Sequence, residues 1–124
     1  AGIGIKAIYR LRDGAFQLLS SPDTLGLKCE AEGVTMTPAD PGYFLPARML
    51  KAGDPGALDV NEIDARAGDR LVLCVGGAVD DLTAEQVHGC VATGSPRDAV
   101  CALDAAGEAV AGYVWWSAFA VVDV

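Results

Sequence analysis

The sequence holds a single histidine, His88, and nine basic residues against seventeen acidic ones. A net charge of −8 repels phosphate backbones and anionic lipid, so neither nucleic acid nor a membrane surface is expected as a partner. His88 stands two residues before Cys90, but no orienting acid accompanies the pair, and a cysteine–histidine nucleophile is not indicated. The four cysteines, Cys29, Cys74, Cys90 and Cys101, are too few for a disulfide-built miniprotein and lack the CxxC spacing of a zinc site. They read as reduced thiols packed as small hydrophobes. No apolar run reaches the length needed to cross a bilayer; the closest, Ala109 to Val124, contains Asp123. The N-terminus lacks the basic start and apolar core of a signal peptide, and Ala1-Gly2 is what remains after removal of an initiator Met, so synthesis in a cytoplasm is expected. Phosphate cradles are missing as well: neither Gly76-Gly77 nor Gly2-Ile3-Gly4 completes a GxGxxG or GxxxxGK pattern. Asp80 and Asp81 are adjacent and point to opposite faces of a strand, which spoils them as an acid/base couple. The residues therefore predict no catalytic, cofactor-binding or metal-binding set, and a protein that is not an enzyme.

What is present is apolar sequence, 52% of 124 residues, enough for one folded domain and incompatible with disorder. The expectation is a single β-rich domain over residues 1–124: a small antiparallel β-barrel or sandwich with at most one or two short helices. Ile3, Ile5, Ala7, Tyr9 and Leu11 alternate with Gly4, Lys6, Ile8, Arg10 and Arg12, the period of a strand with one wet face. Asp13-Gly14 follows as a hairpin turn into a returning strand, Ala15 to Leu19. Leu25 to Cys29 and Gly33 to Thr37 read as short strands, and Leu71 to Val75, after the turn Gly68-Asp69-Arg70, as a strand buried on both faces. Thr83 and Gln86 have capping-box spacing for a short helix, against a competing strand from Gln86 to Thr93. Ser95-Pro96 is ambiguous between a helix start and a turn. Because Asp104 to Glu108 reads as a hairpin loop, Ala99 to Leu103 is expected to be a strand, and the final run Val110 to Val124 a strand as well.

Residues 38–56 change character. Pro38, Pro41, Pro46 and Pro55 sit among Gly42, Gly53 and Gly56, so the stretch is neither a central strand nor a long helix. It reads as an extended excursion with at most a short element at Arg48 to Lys51. Its apolar content suits either contact with another subunit or capping of its own domain. Tyr43, Phe44, Leu45, Met49 and Leu50 are the candidate interface residues, joined by Trp115 and Trp116, one of which a strand would turn outward.

Two families are resembled. Gly68-Asp69-Arg70-Leu71-Val72-Leu73-Cys74 is similar to the GDRLLLC strand in the C-terminal half of metal-dependent serine/threonine phosphatases. Asp81 to Val87 looks like the helix after it, Ala120 to Val124 like the last strand, and Tyr9 to Gly14 like the hairpin upstream. That family carries a metal-binding Asp where this chain has Val75-Gly76, and an Asp-Asn pair near Trp116-Ser117. The resemblance therefore implies a phosphatase-like regulatory or interaction domain without activity, and half of a two-sheet sandwich. The second resemblance is to decoration and cement proteins of tailed-phage capsids. It rests on Ala67 to Leu73, Val87 to Ala92, Asp98 to Leu103 and Asp104 to Val110, a succession of Gly-Asp turns and Val-rich strands. It implies a structural subunit of a virion that stabilises the shell by binding the major capsid protein, another virion protein or its own copies as a homo-oligomer. On the sequence this second reading leads. The helix or strand character of Ser95 to Gly107 separates the two, a helix favouring the phosphatase-like domain.

Overall fold

The computed structural model describes residues 6–20, 22–49, 52–53, 60, 62–76, 82–111 and 117–124. They fall into two compact units, one made of Ala7–Ser21 and Asp64–Val124, the other containing Pro22–Ile63.

The larger unit is built on a four-stranded sheet. Strand β1 (Lys6–Arg12) turns through Asp13 and Gly14 into β2 (Ala15–Ser20). Asp13 at φ 50° and Gly14 at φ 78° both lie in the left-handed region. A two-residue hairpin whose twist matches its strands requires that conformation. The antiparallel register sets Arg12 opposite Ala15 and Leu11 opposite Phe16. Strand β3 (Arg70–Gly76) pairs antiparallel with β4 (Ser117–Asp123) from Arg70↔Asp123 to Gly76↔Ser117. The order is β2-β1-β3-β4. The β-rich expectation holds in this sheet, but the sheet is open, with β2 and β4 at its edges; among the described residues it does not close into a barrel.

Three helices are described, more than expected. Helix α1 (Leu25–Ala31) belongs to the smaller unit; α2 (Ala84–Val91) and α3 (Pro96–Ala111) lie in the larger. The capping box at α2 is formed in full: the Gln86 N–H donates to Thr83 Oγ1 and the Thr83 N–H to Gln86 Oε1. At α3 the expected strand Ala99 to Leu103 is instead helix, and Asp104 to Glu108 lies inside it rather than in a hairpin loop. The cause is a second reciprocal cap. The Asp98 N–H donates to Ser95 Oγ, while the Ser95 N–H and hydroxyl both donate to Asp98 Oδ2, at 2.9 and 2.7 Å. Pro96 takes the first helical position, where its missing N–H costs nothing. The helical stripe Ala99, Leu103, Ala106 then faces the sheet; Ala99 and Leu103 are fully buried and Ala106 packs against the same core. That core joins Ala7, Tyr9, Val72 and Cys74 of the sheet to Val87, Val91, Ala99 and Leu103 from the helices and to Leu82, just before α2.

In the smaller unit, Leu25 to Cys29 is also helix, not strand. Thr24 caps it by accepting the Leu27 N–H, and the free N–H groups of Leu25 and Gly26 donate to the carbonyls of Leu45 and Tyr43. The 38–56 excursion thus supplies acceptors to the first turn of α1. Its described residues contain no helix or strand, only a bridge between Thr24 and Pro46. The Tyr43 ring lies where a Cβ on Gly26 would stand, and its hydroxyl donates to Glu30 at 2.9 Å.

Leu103 is 0% exposed, so Leu103→Ala should cost about 2–5 kcal/mol through lost burial and the cavity left behind. Urea unfolding is the measurement, with the midpoint moving and the slope constant.

Candidate functional site

A partly polar concavity of the larger unit lies where the β1–β2 turn, the turn before β3 and the α2–α3 turn meet. It is about 430 Å³ and is lined by Asp13, Asp69, Arg70, Thr93, Gly94 and Asp123, among others. Two ion pairs organise it. Arg12 Nε and Nη2 donate to the two carboxylate oxygens of Asp69 at 2.6 and 2.7 Å, and the Arg66 N–H adds a third bond to Asp69 Oδ2 at 2.9 Å. Arg70 forms the same fork with Asp123, at 2.6 and 2.8 Å, and donates to the Val91 and Gly94 carbonyls at 2.9 and 2.8 Å. The Arg12 fork holds the Asp69 carboxyl far below the ordinary carboxylate range against the opposing effect of burial; the Arg66 N–H adds to the lowering. Asp123 is lowered through its bonds to Arg70.

These carboxylates are therefore occupied. Each is a salt-bridge acceptor, and each guanidinium is committed to its partner and to backbone carbonyls. Asp69 and Asp123, both lowered, lack the raised pKa of a general acid. The C-terminal end of β3, where the phosphatase resemblance calls for a metal-binding Asp, carries Val75 and then Gly76, a buried glycine at φ 83°. Among the described residues no three His, Cys, Asp or Glu converge as metal ligands.

His88 and Cys90 are used apart from each other. The His88 ring stacks on Phe16 at 5.0 Å, and Phe16 in turn on Tyr9 at 4.8 Å. The Cys90 thiol donates to the Ala102 carbonyl at 3.6 Å. All four cysteines are free thiols; Cys74 is buried, Cys29 and Cys90 half-buried and Cys101 exposed. Burial, with a smaller contribution from Cys90, pushes the Cys74 thiol up to about 11.

The residues predicted as an interface are not brought together among the described positions. Tyr43 is buried against Gly26 in the smaller unit, Phe44 meets its ring edge-on, and Leu45 and Met49 are exposed. Leu50, Trp115 and Trp116 lie outside the described residues. Sequence reasoning missed the Arg12–Asp69 and Arg70–Asp123 pairs. Gly68-Asp69-Arg70 carried the signal but read only as a turn, because the two partners lie 57 and 53 residues away along the chain.

No protein-family model and no curated protein matches the chain. Thirteen solved chains do. The PPM Ser/Thr phosphatase MsPP from Mycobacterium smegmatis is 24% identical, with a TM-score of 0.78 over 98% of this chain and 53% of that one. The S. agalactiae serine/threonine phosphatase is 17% identical, with a TM-score of 0.83 over 98% and 52%. PppA of Pseudomonas aeruginosa, described as a key regulatory component of its T6SS, is 17% identical, with a TM-score of 0.72 over 98% and 50%. The fold is a PPM phosphatase fold. The chain spans about half the length of these solved proteins. This likeness, with α3 helical where the decoration-protein pattern needs a strand, overturns the virion reading. A role as a capsid-stabilising subunit, capsid or virion proteins as partners, and a location in the virion are all withdrawn. The phosphatase resemblance, ranked second on the sequence, is the one the fold supports.

Two outcomes follow. Because the Asp69 pKa is depressed by folding, its ion pair stabilises the protein fully above the ordinary carboxylate pKa of about 3.9 and is progressively lost as pH falls below it. Acid titration followed by circular dichroism should show stability declining below about pH 4, and Asp69→Asn should be less stable at neutral pH with a flatter acid limb. In a thiol-reactivity assay at pH 8, Cys101 should react first. Cys74, with on the order of a thousandth of its thiol ionised, should react only as the protein unfolds.

Proposed function

We propose that this chain is a phosphatase-like domain that has kept the PPM scaffold and serves regulation or interaction rather than catalysis. The observation that carries the reading is the combination of a shared fold, a TM-score of 0.83 over 98% of the chain, with Val75 and Gly76 at the β3 terminus, where the resemblance requires a carboxylate. Trp116 and Ser117 at the second ligand position add to it. The regulatory description attached to PppA is compatible with such a role for this fold. On this reading the two forked ion pairs are structural. They fasten β1 to the turn before β3, and β3 to β4 and the α2–α3 turn, at the edge of the sheet. A single domain over residues 1–124 is part of the proposal, and Phe44, Leu45 and Met49 are retained in it as exposed apolar contact residues of the excursion.

The test is direct. The purified chain, assayed with p-nitrophenyl phosphate and a phosphothreonine peptide in excess Mn²⁺, should release no phosphate above the protein-free rate. Titration calorimetry with Mn²⁺ should show no stoichiometric binding. Turnover that survives repurification and disappears on chelation would refute the reading.

A further inference from the structure

In the smaller unit, residues 40–45 fold into two linked turns. The Tyr43 N–H donates to the Asp40 carbonyl and the Leu45 N–H to the Gly42 carbonyl, at 3.1 and 3.0 Å. The Tyr43 and Leu45 carbonyls accept the Gly26 and Leu25 N–H groups, and the Tyr43 ring is buried over Gly26. The backbone of the segment is thus held on α1. Phe44 and Leu45 stay 38% and 58% exposed, beside Leu25 at 36%. Met36 joins them, since its methyl and the Leu45 side chain both lie within 4.0 Å of where a Cβ on Gly42 would stand. The result is an apolar knob on an already ordered loop, so a partner need not meet the cost of ordering it.

The surroundings of the knob are acidic. Asp40 opens the turns, and its carboxylate accepts the Thr37 N–H and hydroxyl at 2.7 and 2.8 Å, which holds it below the ordinary carboxylate range. Glu30 accepts the Tyr43 hydroxyl at 2.9 Å and is exposed. Among the described cations of this unit Arg48 is bonded to Asp23, which leaves Lys28 against Glu30, Glu32 and Asp40. We infer that the knob docks a polypeptide segment in which a large apolar side chain is flanked by lysine or arginine. The inference rests on the interaction role proposed above and names the partner class. Phe44 and Leu45 supply the apolar contact, and the carboxylates around them select the sign of charge on the partner. The same carboxylates repel a phosphorylated segment and an anionic lipid surface.

The test pans a display library of random peptides on the immobilised full chain and removes those that also bind the Leu45→Ser variant. The surviving sequences should set Leu, Ile or Phe beside Lys or Arg. The most enriched one, synthesised with a fluorescent label, should bind the full chain with an anisotropy change. Phe44→Ser, and separately Glu30→Gln combined with Asp40→Asn, should each weaken it about tenfold, with the native circular dichroism kept. Asp104→Asn on α3 should leave it unchanged. Glu30→Gln and Asp40→Asn retain an acceptor for Tyr43 and Thr37, so they remove charge without removing the hydrogen bonds. No survivors, acidic or neutral survivors, equal weakening by Asp104→Asn, or binding of the full chain to phosphatidylserine vesicles through Leu45 overturns the inference. So does a dimer of this chain that Leu45→Ser dissociates. Phosphatase turnover in the assay above would defeat the functional reading while leaving the peptide result unchanged, so the two failures are distinguishable.

Discussion

Asp69 is 2% exposed and charged, and the larger unit is arranged around that fact. A buried carboxylate costs several kcal/mol unless its charge and its lone pairs are both met. Here the Arg12 fork meets the charge and the Arg66 N–H a further lone pair. Arg12 ends β1 and Asp69 precedes β3, so satisfying one side chain brings together two strands far apart in sequence. The backbone of Asp69 continues the same work, since its carbonyl accepts the Val124 N–H and the Gly68 N–H donates to the Val124 carbonyl. The ion pair thus stands at the junction of β1, β3 and the end of β4.

Arg70 extends the junction. By donating to Asp123 and to the carbonyls of Val91 and Gly94, it ties the β3–β4 pair to the end of α2 and the turn into α3. The Val91 carbonyl is among the last of a helix, where acceptors have no intrahelical donor. The arginine answers that shortage. The two carboxylates and the two guanidinium groups are thus engaged with one another and with backbone carbonyls, and they form a structural joint of the unit.

The core that holds the fold does not involve the end of β3. The core of Val72, Cys74, Val87, Val91, Ala99 and Leu103 depends on volume and burial, and none of those residues would be needed to hold a metal. With Val75 and Gly76 at the end of β3, the fold is still shared with solved phosphatases at 17–24% identity. Scaffold and side-chain chemistry are under different physical constraints, so a shared fold does not fix what stands at the end of β3.

Local physics was legible in the sequence wherever it was self-contained. Asp13-Gly14 determines a hairpin because both residues accept positive φ, Thr83 and Gln86 cap α2 with each other, and Leu71 to Val75 forms a strand, although only Val72 and Cys74 of it are buried and Leu73 is exposed, against the expectation of burial on both faces. The motif Gly68-Asp69-Arg70 also carried the phosphatase resemblance, and Val75-Gly76 its missing carboxylate. Leu25 to Cys29 and Ala99 to Leu103 were read as strands because short apolar runs fit both periods equally. For α1 the deciding partners lie elsewhere, the Tyr43 and Leu45 carbonyls; for α3 the local cap of Ser95 with Asp98 starts the helix, and the sheet face that Ala99 and Leu103 cover holds it. The partners of Asp69 and Arg70 lie more than fifty residues away, and the burial that makes those pairs matter exists only once the sheet has formed. Charge, caps and turns are properties of neighbours in the chain; which carboxylate is buried, and which face of a strand is left uncovered, are properties of neighbours in space.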